Sequence, residues 1–170
     1  MPVVLFRVDD RLIHGQVTVA WGARLSPDLI VLANDEVASS PWKRDIYSSG
    51  DTMGTRVAVL SVDELTLAAA AGEFERERVL IVVESPCDLL RAVEGGMPVE
   101  EANIGGMHHA EGKREVLPYV YVDDRDVRVL RTLAARGVRL EARDVPQARP
   151  VDLVAELART EDARDGGGAE

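Results

Sequence analysis

Residues 3–17, VVLFRVDDRLIHGQV, decide the fold of this chain because they join an apolar run to a helical pattern through a turn of charged side chains. Residues 3–6 are continuous, apolar and partly β-branched, which predicts a short buried strand. Beyond Gly15, apolar residues recur at helical spacing as far as Leu25, which predicts a helix. A strand, a polar turn and a helix in this order begin an α/β fold, and the turn is the place where we expect chemistry.

The turn before this helix contains the groups that an anion site needs. His14 lies at or just before the helix N-terminus, where the unpaired N–H groups of Gly15 and Gln16 and the helix dipole favour an anion such as a phosphoryl group. Arg11 adds a planar, two-pronged donor for phosphate oxygens, and a neutral imidazole beside it is a candidate nucleophile. From spacing alone, a solvated turn with a helix-capping histidine explains these residues equally well.

Strand and helix patterns alternate along the rest of the chain. Further strands are predicted at residues 28–33, 56–60, 78–83, 101–106, around 116–122 and at 138–143, and helices at 36–49 with a break near Pro41, at 62–71, 86–94, 125–135 and 152–158. Together they predict a single α/β domain over residues 1–159, with a mostly parallel, open sheet and helices on both faces. Residues 138–143 alternate apolar and polar, which favours an antiparallel edge strand. Residues 160–170 are expected to form a disordered tail.

The composition is typical of a globular protein of the cytoplasm. Of the 170 residues, 46% are hydrophobic and 29% are charged, and no apolar run approaches the roughly 18–20 residues that span a bilayer. The N-terminus lacks the features of a signal peptide and Cys87 is the only cysteine, which favours a reducing, cytoplasmic location. The formal net charge of −10 argues against nucleic acid as a partner, since nucleic acid is bound through basic surfaces.

Other predicted turns are candidates for the rim of the same site. In an open parallel sheet, ligands bind beyond the carboxyl ends of the strands. The polar or glycine residues that follow other predicted strands are Asn34, Asp35, Ser85, Gly105 and Gly106. The sequence does not give the strand order, so which of these residues lie beside His14 stays open.

The remaining histidines and the cysteine form no recognisable site. His108 and His109 are adjacent, so their side chains rarely point the same way, and no metal-ligand spacing surrounds them. We therefore expect no metal site and only a loop role for this pair. Cys87 falls in the first turn of a predicted helix, where a thiol can be reactive, although a small buried core residue is the commoner outcome. The glycines spell no nucleotide-binding motif, so no cofactor is expected.

The motif of the first turn resembles a known family. Residues 7–17, RVDDRLIHGQV, followed by Trp21, are similar to the signature of the IIB subunit of the bacterial phosphoenolpyruvate-dependent sugar phosphotransferase system, mannose/fructose/sorbose class. The resemblance continues through residues 34–38 (NDEVA), 103–107 (NIGGM), 112–113 (GK) and 137–138 (GV). It therefore covers nearly the whole chain.

The resemblance implies an enzyme, a protein-phosphohistidine sugar phosphotransferase. By the same resemblance, Nδ1 of His14 would accept a phosphoryl group from the phosphohistidine of a IIA subunit. It would then pass this group to a sugar that enters through membrane IIC and IID subunits. Arg11 would stabilise the moving charge, and Asp9 would orient Arg11 or the ring, since a second anion would repel phosphate. Asp10 is expected to be solvated. The implied location is cytoplasmic, peripheral at the inner face of the membrane, and a homodimer is compatible with the sequence.

A different class of function shares the same turn. Phosphorylation of His14 could switch a protein interaction without sugar transport, which would make the chain a regulatory phosphoprotein. The sequence does not separate this alternative from a transport role, because both depend on partner proteins. It does not identify the sugar either, since the family selects sugars in its membrane subunits.

Overall fold

The computed structural model describes residues 3–50, 52 and 54–165. In these residues the strands are β1 (Val3–Asp9), β2 (Leu29–Ala33), β3 (Arg56–Leu60), β4 (Val79–Val83), β5 (Glu101–Gly106), β6 (Arg114–Leu117), β7 (Val120–Val122), β8 (Arg139–Ala142) and β9 (Val151–Asp152). The helices are α1, which starts as a π-helix (Gln16–Gly22) and continues as Ala23–Leu25, α2 (Asp35–Ser39), α3 (Pro41–Ser49), α4 (Val62–Ala70), α5 (Pro86–Glu94), α6 (Asp124–Ala135) and α7 (Leu153–Asp165).

One sheet runs through the centre of the protein in the order β3-β2-β4-β1-β5-β8-β9. The pairs from β3 to β8 are parallel, and β9 lies antiparallel to β8. Strands β6 and β7 form a separate antiparallel pair. The predicted α/β class with a mostly parallel, open sheet is therefore confirmed.

Apolar side chains fill both faces of this sheet. On one face, Phe6 and Val8 of β1 belong to a core closed by α4, α5, α6 and α7. On the other face, Ile30 and Leu32 of β2 pack with α1, α2 and α3, and Trp21 of α1 is buried among them. Burying one such side chain contributes about 1.5–3 kcal/mol, so the two cores hold the end of β1 in a fixed place. Across the described ranges, no helix combines the length and the apolar character needed to cross a membrane.

Side-chain caps define where α4, α5 and α6 begin. Ser61 and Glu64 form the reciprocal hydrogen bonds of a capping box at α4, and Asp123 and Asp126 form a second one at α6. Ser85 caps α5 through its side-chain oxygen. The predicted starts at residues 62 and 86 are confirmed, and α6 begins one residue before the predicted start at residue 125. Each cap is a local signal, which is why the sequence indicates these starts.

The edge of the sheet differs from the prediction. The alternating pattern of residues 138–143 predicts an antiparallel edge strand, but β8 pairs parallel with β5 and lies inside the sheet. The antiparallel edge strand is β9, which is only two residues long. Leu140 and Ala142 face the core closed by α6 and α7, while Arg139 is exposed. The alternation therefore reflects helices on one face of β8, not an edge position.

The last helix is longer than the sequence predicts. The expected helix ends at residue 158 and a disordered tail follows from Thr160, whereas α7 continues to Asp165. Glu161 lies 3.6 Å from the guanidinium of Arg114 and forms an ion pair with Arg131 of α6. The composition of this segment favours disorder, but these tertiary contacts stabilise it as a helix. Residues 166–170 of the expected tail lie outside the described residues.

Candidate active site

The turn between β1 and α1 lies near the centre of one edge of the sheet. Strand β1 sits between β4 and β5, and the carboxyl ends of these parallel strands share that edge. After β1 the chain crosses over to β2, which lies beyond β4. After β4 it crosses in the opposite direction to β5, which lies beyond β1. Such a switch point is where open α/β sheets bind ligands.

This turn has a tight backbone. Leu12 adopts a left-handed conformation with φ of 60°, and its N–H donates to the carbonyl oxygen of Asp9 over 2.9 Å. The N–H of Asp10 donates to the carbonyl oxygen of Gly106 over 3.1 Å, which ties the turn to the end of β5. A positive φ at leucine costs free energy, and such residues are held in place by their surroundings, often at functional sites.

The Asp9 carboxylate is the buried centre of the turn. Its side chain is 0% exposed, and Oδ1 accepts hydrogen bonds from the backbone N–H and from Nε of Arg11, at 3.1 and 3.0 Å. Oδ2 accepts from Nη2 of Arg11 at 3.1 Å and from Nη2 of Arg7 at 2.8 Å. Two guanidinium groups thus share one carboxylate, and Asp9 holds Arg11 in one orientation.

Arg7 lies inside the protein and is fully buried. Its Nε and Nη2 both donate to Oδ2 of Asp9, and Nη1 donates to the side-chain oxygen of Asn103. The carbonyl oxygens of Arg143 and Asp144 accept from Nη1 and Nη2 at 3.1 and 3.0 Å. A guanidinium has five N–H groups, so these five hydrogen bonds match every donor of this buried cation.

The two arginines set the charge of Asp9. Burial alone would raise the pKa of Asp9, but the hydrogen bonds from Arg11 and the charge of Arg7 outweigh burial and hold that pKa below its ordinary value. Burial lowers the pKa of the Arg7 guanidinium, and the charge of Asp9 opposes this shift. Arginine keeps its proton in proteins, so the buried pair of Arg7 and Asp9 has no net charge. The positive charge of Arg11 is left uncompensated near the surface.

His14 lies at the rim of this cluster, with 22% of its side chain exposed. Nδ1 is 3.0 Å from the carbonyl oxygen of Leu12, so a neutral ring in this conformation carries its proton on Nδ1 and its lone pair on Nε2. Nε2 is buried, lies 3.8 Å from Oδ2 of Asp9 and has no hydrogen-bond partner among the described residues. The imidazole is therefore held between a carbonyl group and a carboxylate.

The first turn of α1 is irregular. The carbonyl oxygen of His14 accepts hydrogen bonds from the N–H groups three and four residues further on, and the helix begins in π-helical form, a rare form that is frequent at functional sites. In the part of the chain that the structure describes, the N–H groups of Gly15 and Gln16 donate to no protein acceptor. The side-chain oxygen of Gln16 accepts from Nη2 of Arg11 at 2.9 Å.

Gly105 and Gly106, two of the expected rim residues, lie directly against the cluster. A Cβ atom on Gly105 would fall 1.8 Å from Cζ of Arg7, and one on Gly106 would fall 2.9 Å from Oδ1 of Asp9. Real Cβ atoms do not approach other atoms this closely. Glycine at the end of β5 therefore leaves the space that the guanidinium and the carboxylate occupy.

The other expected rim residues have separate contacts. Asn34 caps α2, donates to Glu84 at 2.8 Å and, with Leu12, lines a cavity of about 260 Å³ beside the turn. Asp35 accepts a hydrogen bond from the first residue of α4, and Ser85 caps α5. Asn34 is therefore near the turn, whereas the polar atoms of Asp35 and Ser85 hold the starts of helices.

Asp10 and the paired histidines hold the loop after β5. Asp10, expected to be solvated, is 33% exposed, and its carboxylate in addition accepts from the N–H of His108 at 2.7 Å and contacts Nδ1 of that ring. His109 packs edge-on against Tyr121, with ring centroids 5.4 Å apart. Within residues 3–50, 52 and 54–165, no three potential metal ligands form a group.

Sequence reasoning missed the buried polar part of the site, which comprises Arg7, Asn103 and Trp21. Arg7 and Asn103 stand in otherwise apolar strands, and Nε1 of Trp21 donates to the carbonyl oxygen of Asp144 at 3.0 Å. A signal was available, since a charged residue within a buried strand needs buried partners. The glycine pair at the end of β5 is a second signal.

Known proteins are similar in sequence to this chain over most of its length. The family model described as "PTS system sorbose subfamily IIB component" matches residues 3–166. The N-acetylgalactosamine-specific phosphotransferase enzyme IIB component 2 of Escherichia coli (strain K12) is 36% identical over 155 residues, which are 89% of this chain and 96% of that protein. The mannose-specific EIIAB component of the same strain is 33% identical over 160 residues, 92% of this chain but 50% of that protein. This chain thus spans half of that relative.

A solved structure shares the fold over most of the chain. The crystal structure of the IIBSor domain of the sorbose permease from Klebsiella pneumoniae matches with a TM-score of 0.88 at 31% identity. The match covers 94% of this chain and 98% of that one. The fold of this chain is therefore one that is known from experiment.

Proposed function

The chain belongs to the PTS system sorbose subfamily of IIB components, and we propose that it is a phosphocarrier whose His14 accepts a phosphoryl group from a IIA phosphohistidine and passes it to a sugar. The observation that carries this proposal is the convergence of His14 and Arg11 on the carboxylate of Asp9 at the carboxyl edge of the sheet. Phosphoryl transfer depends on positioning and charge stabilisation, and a nucleophilic ring beside an oriented guanidinium supplies both.

The transfer exchanges one phosphorus–nitrogen bond for another. A lone pair on a ring nitrogen of His14 attacks phosphorus, and the bond to the donor imidazole breaks with its electron pair returning to the donor ring. The attacking nitrogen has already shed its proton, and the donor nitrogen can take one up. In the second step a sugar hydroxyl oxygen attacks phosphorus and releases its proton, while the electron pair of the phosphorus–nitrogen bond returns to His14.

Asp9 favours Nδ1 of His14 as the accepting atom, which is the atom that the family resemblance implies. Nδ1 contacts the carbonyl oxygen of Leu12, so acceptance requires the ring to turn away from that oxygen and to lose the proton on Nδ1. Nε2 then carries the proton. In the ring orientation of this structure it lies 3.8 Å from Oδ2 of Asp9, so the ring must also shift toward Asp9 for this N–H to donate to the carboxylate. A phosphoryl group on Nε2 would instead meet this carboxylate, and like charges repel.

Arg11 places positive charge beside the phosphoryl group during its transfer. Its guanidinium is oriented by Asp9 and Gln16, and the loose transition state of phosphoryl transfer places charge on the oxygens that such a donor can bind. The N–H groups of Gly15 and Gln16 are further donors at the start of α1. Asp9 therefore acts on the reaction through the orientation of Arg11 and of the ring.

The proposed partners follow from membership of the family. The match to half of a relative named EIIAB component supports a IIA unit as the phosphoryl donor. Membrane IIC and IID subunits would present the sugar, which places this chain in the cytoplasm at the inner face of the membrane. The names of relatives mention N-acetylgalactosamine, mannose and sorbose, and we propose a hexose or an N-acetylated hexosamine as the final acceptor.

Peptide mapping after incubation with a phosphorylated IIA protein tests the proposal. We expect one phosphate, on His14, in a bond that is acid-labile and alkali-stable as phosphoramidates are. His14→Gln should accept none, while His109→Gln, in which the lost ring packs on Tyr121 outside the cluster, should accept phosphate like the parent. Phosphate on His108, on His109 or on a serine would contradict the proposal.

Adding membranes that contain IIC and IID subunits, with a panel of hexoses and N-acetylated hexosamines, tests the second step. We expect sugar phosphate to form from the parent chain and not from His14→Gln. A phosphorylated chain that gives its phosphate to none of these sugars would favour the regulatory role instead.

A further inference from the structure

We propose that Arg7 is a positioning residue for phosphoryl transfer, which fixes the Asp9 carboxylate from inside the protein so that Asp9 can hold Arg11 beside His14. This inference rests on the proposed function of His14 and adds to it a residue that no substrate can touch, because Arg7 is fully buried. Arg7 therefore acts only through Asp9.

The hydrogen bonds of Arg7 join three separate segments of the chain. They connect β1, which carries Arg7 and Asp9, to Asn103 of β5 and to the backbone of Arg143 and Asp144 after β8. A planar fork with all five donors engaged cannot turn without breaking several bonds. The oxygen that Arg7 binds, Oδ2 of Asp9, is the same oxygen that accepts from Arg11 and lies nearest to Nε2 of His14.

The residues packed around the Arg7 guanidinium hold it in a single position. A Cβ atom on Gly105 would fall 1.8 Å from its Cζ, so β5 passes directly against it. The Trp21 ring lies 5.5 Å from the same atom, and its Nε1 donates to the carbonyl oxygen of Asp144 that also accepts from Arg7. The Trp21 ring, the backbone of Gly105 and the carbonyl oxygen of Asp144 therefore fix the direction from which the Arg7 guanidinium approaches Asp9.

Charge balance gives a second reason for the arrangement. The charged and titratable groups that face the Asp9 carboxylate are Arg7, Arg11 and His14. Arg7 neutralises Asp9 in the interior, so the charge of Arg11 remains available to a phosphoryl group. Without Arg7, Arg11 alone would compensate Asp9, and less of its attraction would be left for phosphate.

Arg7→Met, compared with Arg78→Met, separates positioning from folding. Arg78 stands just before β4 and, like Arg7, donates to two backbone carbonyl oxygens, those of Leu25 and Ser26, but in the described residues it donates to no atom of Asp9. We expect Arg7→Met to lower the rate constant of phosphorylation at saturating IIA donor by about 10- to 100-fold, as loss of residues that orient metal ligands does. KM for the donor should not change, and Arg78→Met should keep the parent's rate constant.

The pH profile and Arg7→Lys provide readouts that a purely structural role would not move. In Arg7→Met, Asp9 takes up a proton more readily, so the ratio of its rate constant to the parent's should fall as the pH is lowered toward about 5. Arg7→Lys keeps the charge and loses the fork. It should transfer more slowly than the parent with the parent's pH dependence, and it keeps the test available if Arg7→Met does not fold.

Two results would overturn this inference. One is a folded Arg7→Met or Arg7→Lys that phosphorylates at the parent's rate. The other is an equal loss of rate in Arg7→Met and Arg78→Met at matched thermal midpoints. A parent chain that takes no phosphate on His14 would contradict the proposed function itself, and the inference would fall with it.

Discussion

Arg11 is the residue whose expected behaviour changes most once its contacts are known. From the sequence it stands in an exposed turn, where substitutions usually change the free energy of unfolding by no more than about 0.5 kcal/mol. In the structure its side chain is only 34% exposed and donates to both carboxylate oxygens of Asp9 and to Gln16. Substitution should therefore affect stability as well as transfer.

Arg11→Gln should slow phosphorylation of His14 by about 10² to 10³, the usual cost of losing a preorganised donor to developing charge. Arg11→Lys should recover part of this loss, because it keeps the charge without the planar fork. The free energy of unfolding of Arg11→Gln should fall by about 1–2 kcal/mol, since Arg7 still pairs with Asp9. Single-turnover kinetics and urea denaturation measure the two effects, and normal kinetics in Arg11→Gln would show that it has no part in transfer.

Asp9 should make the free energy of unfolding depend on pH in the acidic range. Its folded-state pKa lies below the ordinary value, which is about 3.9. Its contribution is therefore fully present above that ordinary value and is lost as the pH falls through the lower folded-state pKa. Asp9→Asn should be less stable than the parent at pH 7 by about 3–5 kcal/mol, because Arg7 is left as an unpaired buried charge.

Urea denaturation over a series from about pH 5 to pH 2 checks the sign of this effect. The parent should lose more unfolding free energy over this range than Asp9→Asn does. Asp124→Asn is a control at a side chain that is 85% exposed, and it should stay within about 0.5 kcal/mol of the parent. Parallel curves for the parent and Asp9→Asn would show that Asp9 does not contribute as described.

The strands and helices could be predicted wherever a local signal defines them. Continuous apolar runs marked β2, β3 and β4, and the caps at Ser61, Ser85 and Asp123 marked the starts of three helices. The pairing of β8 and the extra length of α7 could not be predicted, because they depend on helices packed on one face of the sheet and on ion pairs such as that between Arg131 and Glu161. Such contacts join residues far apart in the chain.

Gly105 should be the glycine of β5 that tolerates substitution least. Gly105→Ala places Cβ 1.8 Å from Cζ of Arg7, so either the strand or the guanidinium must move, and we expect a loss of about 1–3 kcal/mol or more in unfolding free energy. Phosphorylation of His14 should slow at the same time, because Asp9 loses its fixed partner.

Gly22→Ala is a matched control with the opposite expected sign. Gly22 has helical φ and ψ angles, and the nearest atom to its added Cβ would be at 3.5 Å, an ordinary contact. Alanine there should raise the unfolding free energy by up to about 0.5–1 kcal/mol. Thermal denaturation of both variants decides the matter, and equal midpoints would show that β5 has room beside Arg7.

At the scale of the whole molecule, the candidate site has a part that is continuous in sequence and a part that the fold assembles. Asp9, Arg11 and His14 could be predicted as a group because they occupy one turn. Arg7 also binds Asn103 and Asp144, which lie near it only because β5 and β8 follow β1 in the sheet. A charged residue in a buried strand indicates that buried partners exist, but strand order is not encoded in local patterns, so the identity of these distant partners could not be predicted.

Transfer from the IIA protein should need no divalent metal and no nucleotide. The donor phosphohistidine already carries the group, and Arg11 with the first amides of α1 supplies the charge that a metal would otherwise provide. A IIA protein that is phosphorylated and freed of metal beforehand should transfer at the same rate with and without excess chelator. Loss of transfer in chelator, with unchanged circular dichroism, would indicate a different class of phosphotransferase.

The ¹⁵N–³¹P coupling in the phosphorylated chain, labelled with ¹⁵N-histidine, tests the central claim most directly. The chain has 3 histidines, so the signals of each ring can be assigned by comparison with His14→Gln, His108→Gln and His109→Gln. Couplings to the carbon-bound ring protons distinguish the two nitrogens, because Nε2 is two bonds from both protons and Nδ1 is two bonds from only one. We predict a one-bond coupling to Nδ1 of His14 and none to the other two rings. Coupling to His108 or His109, or phosphate uptake without any coupling to a histidine nitrogen, would contradict the assignment of His14 as the phosphoryl acceptor.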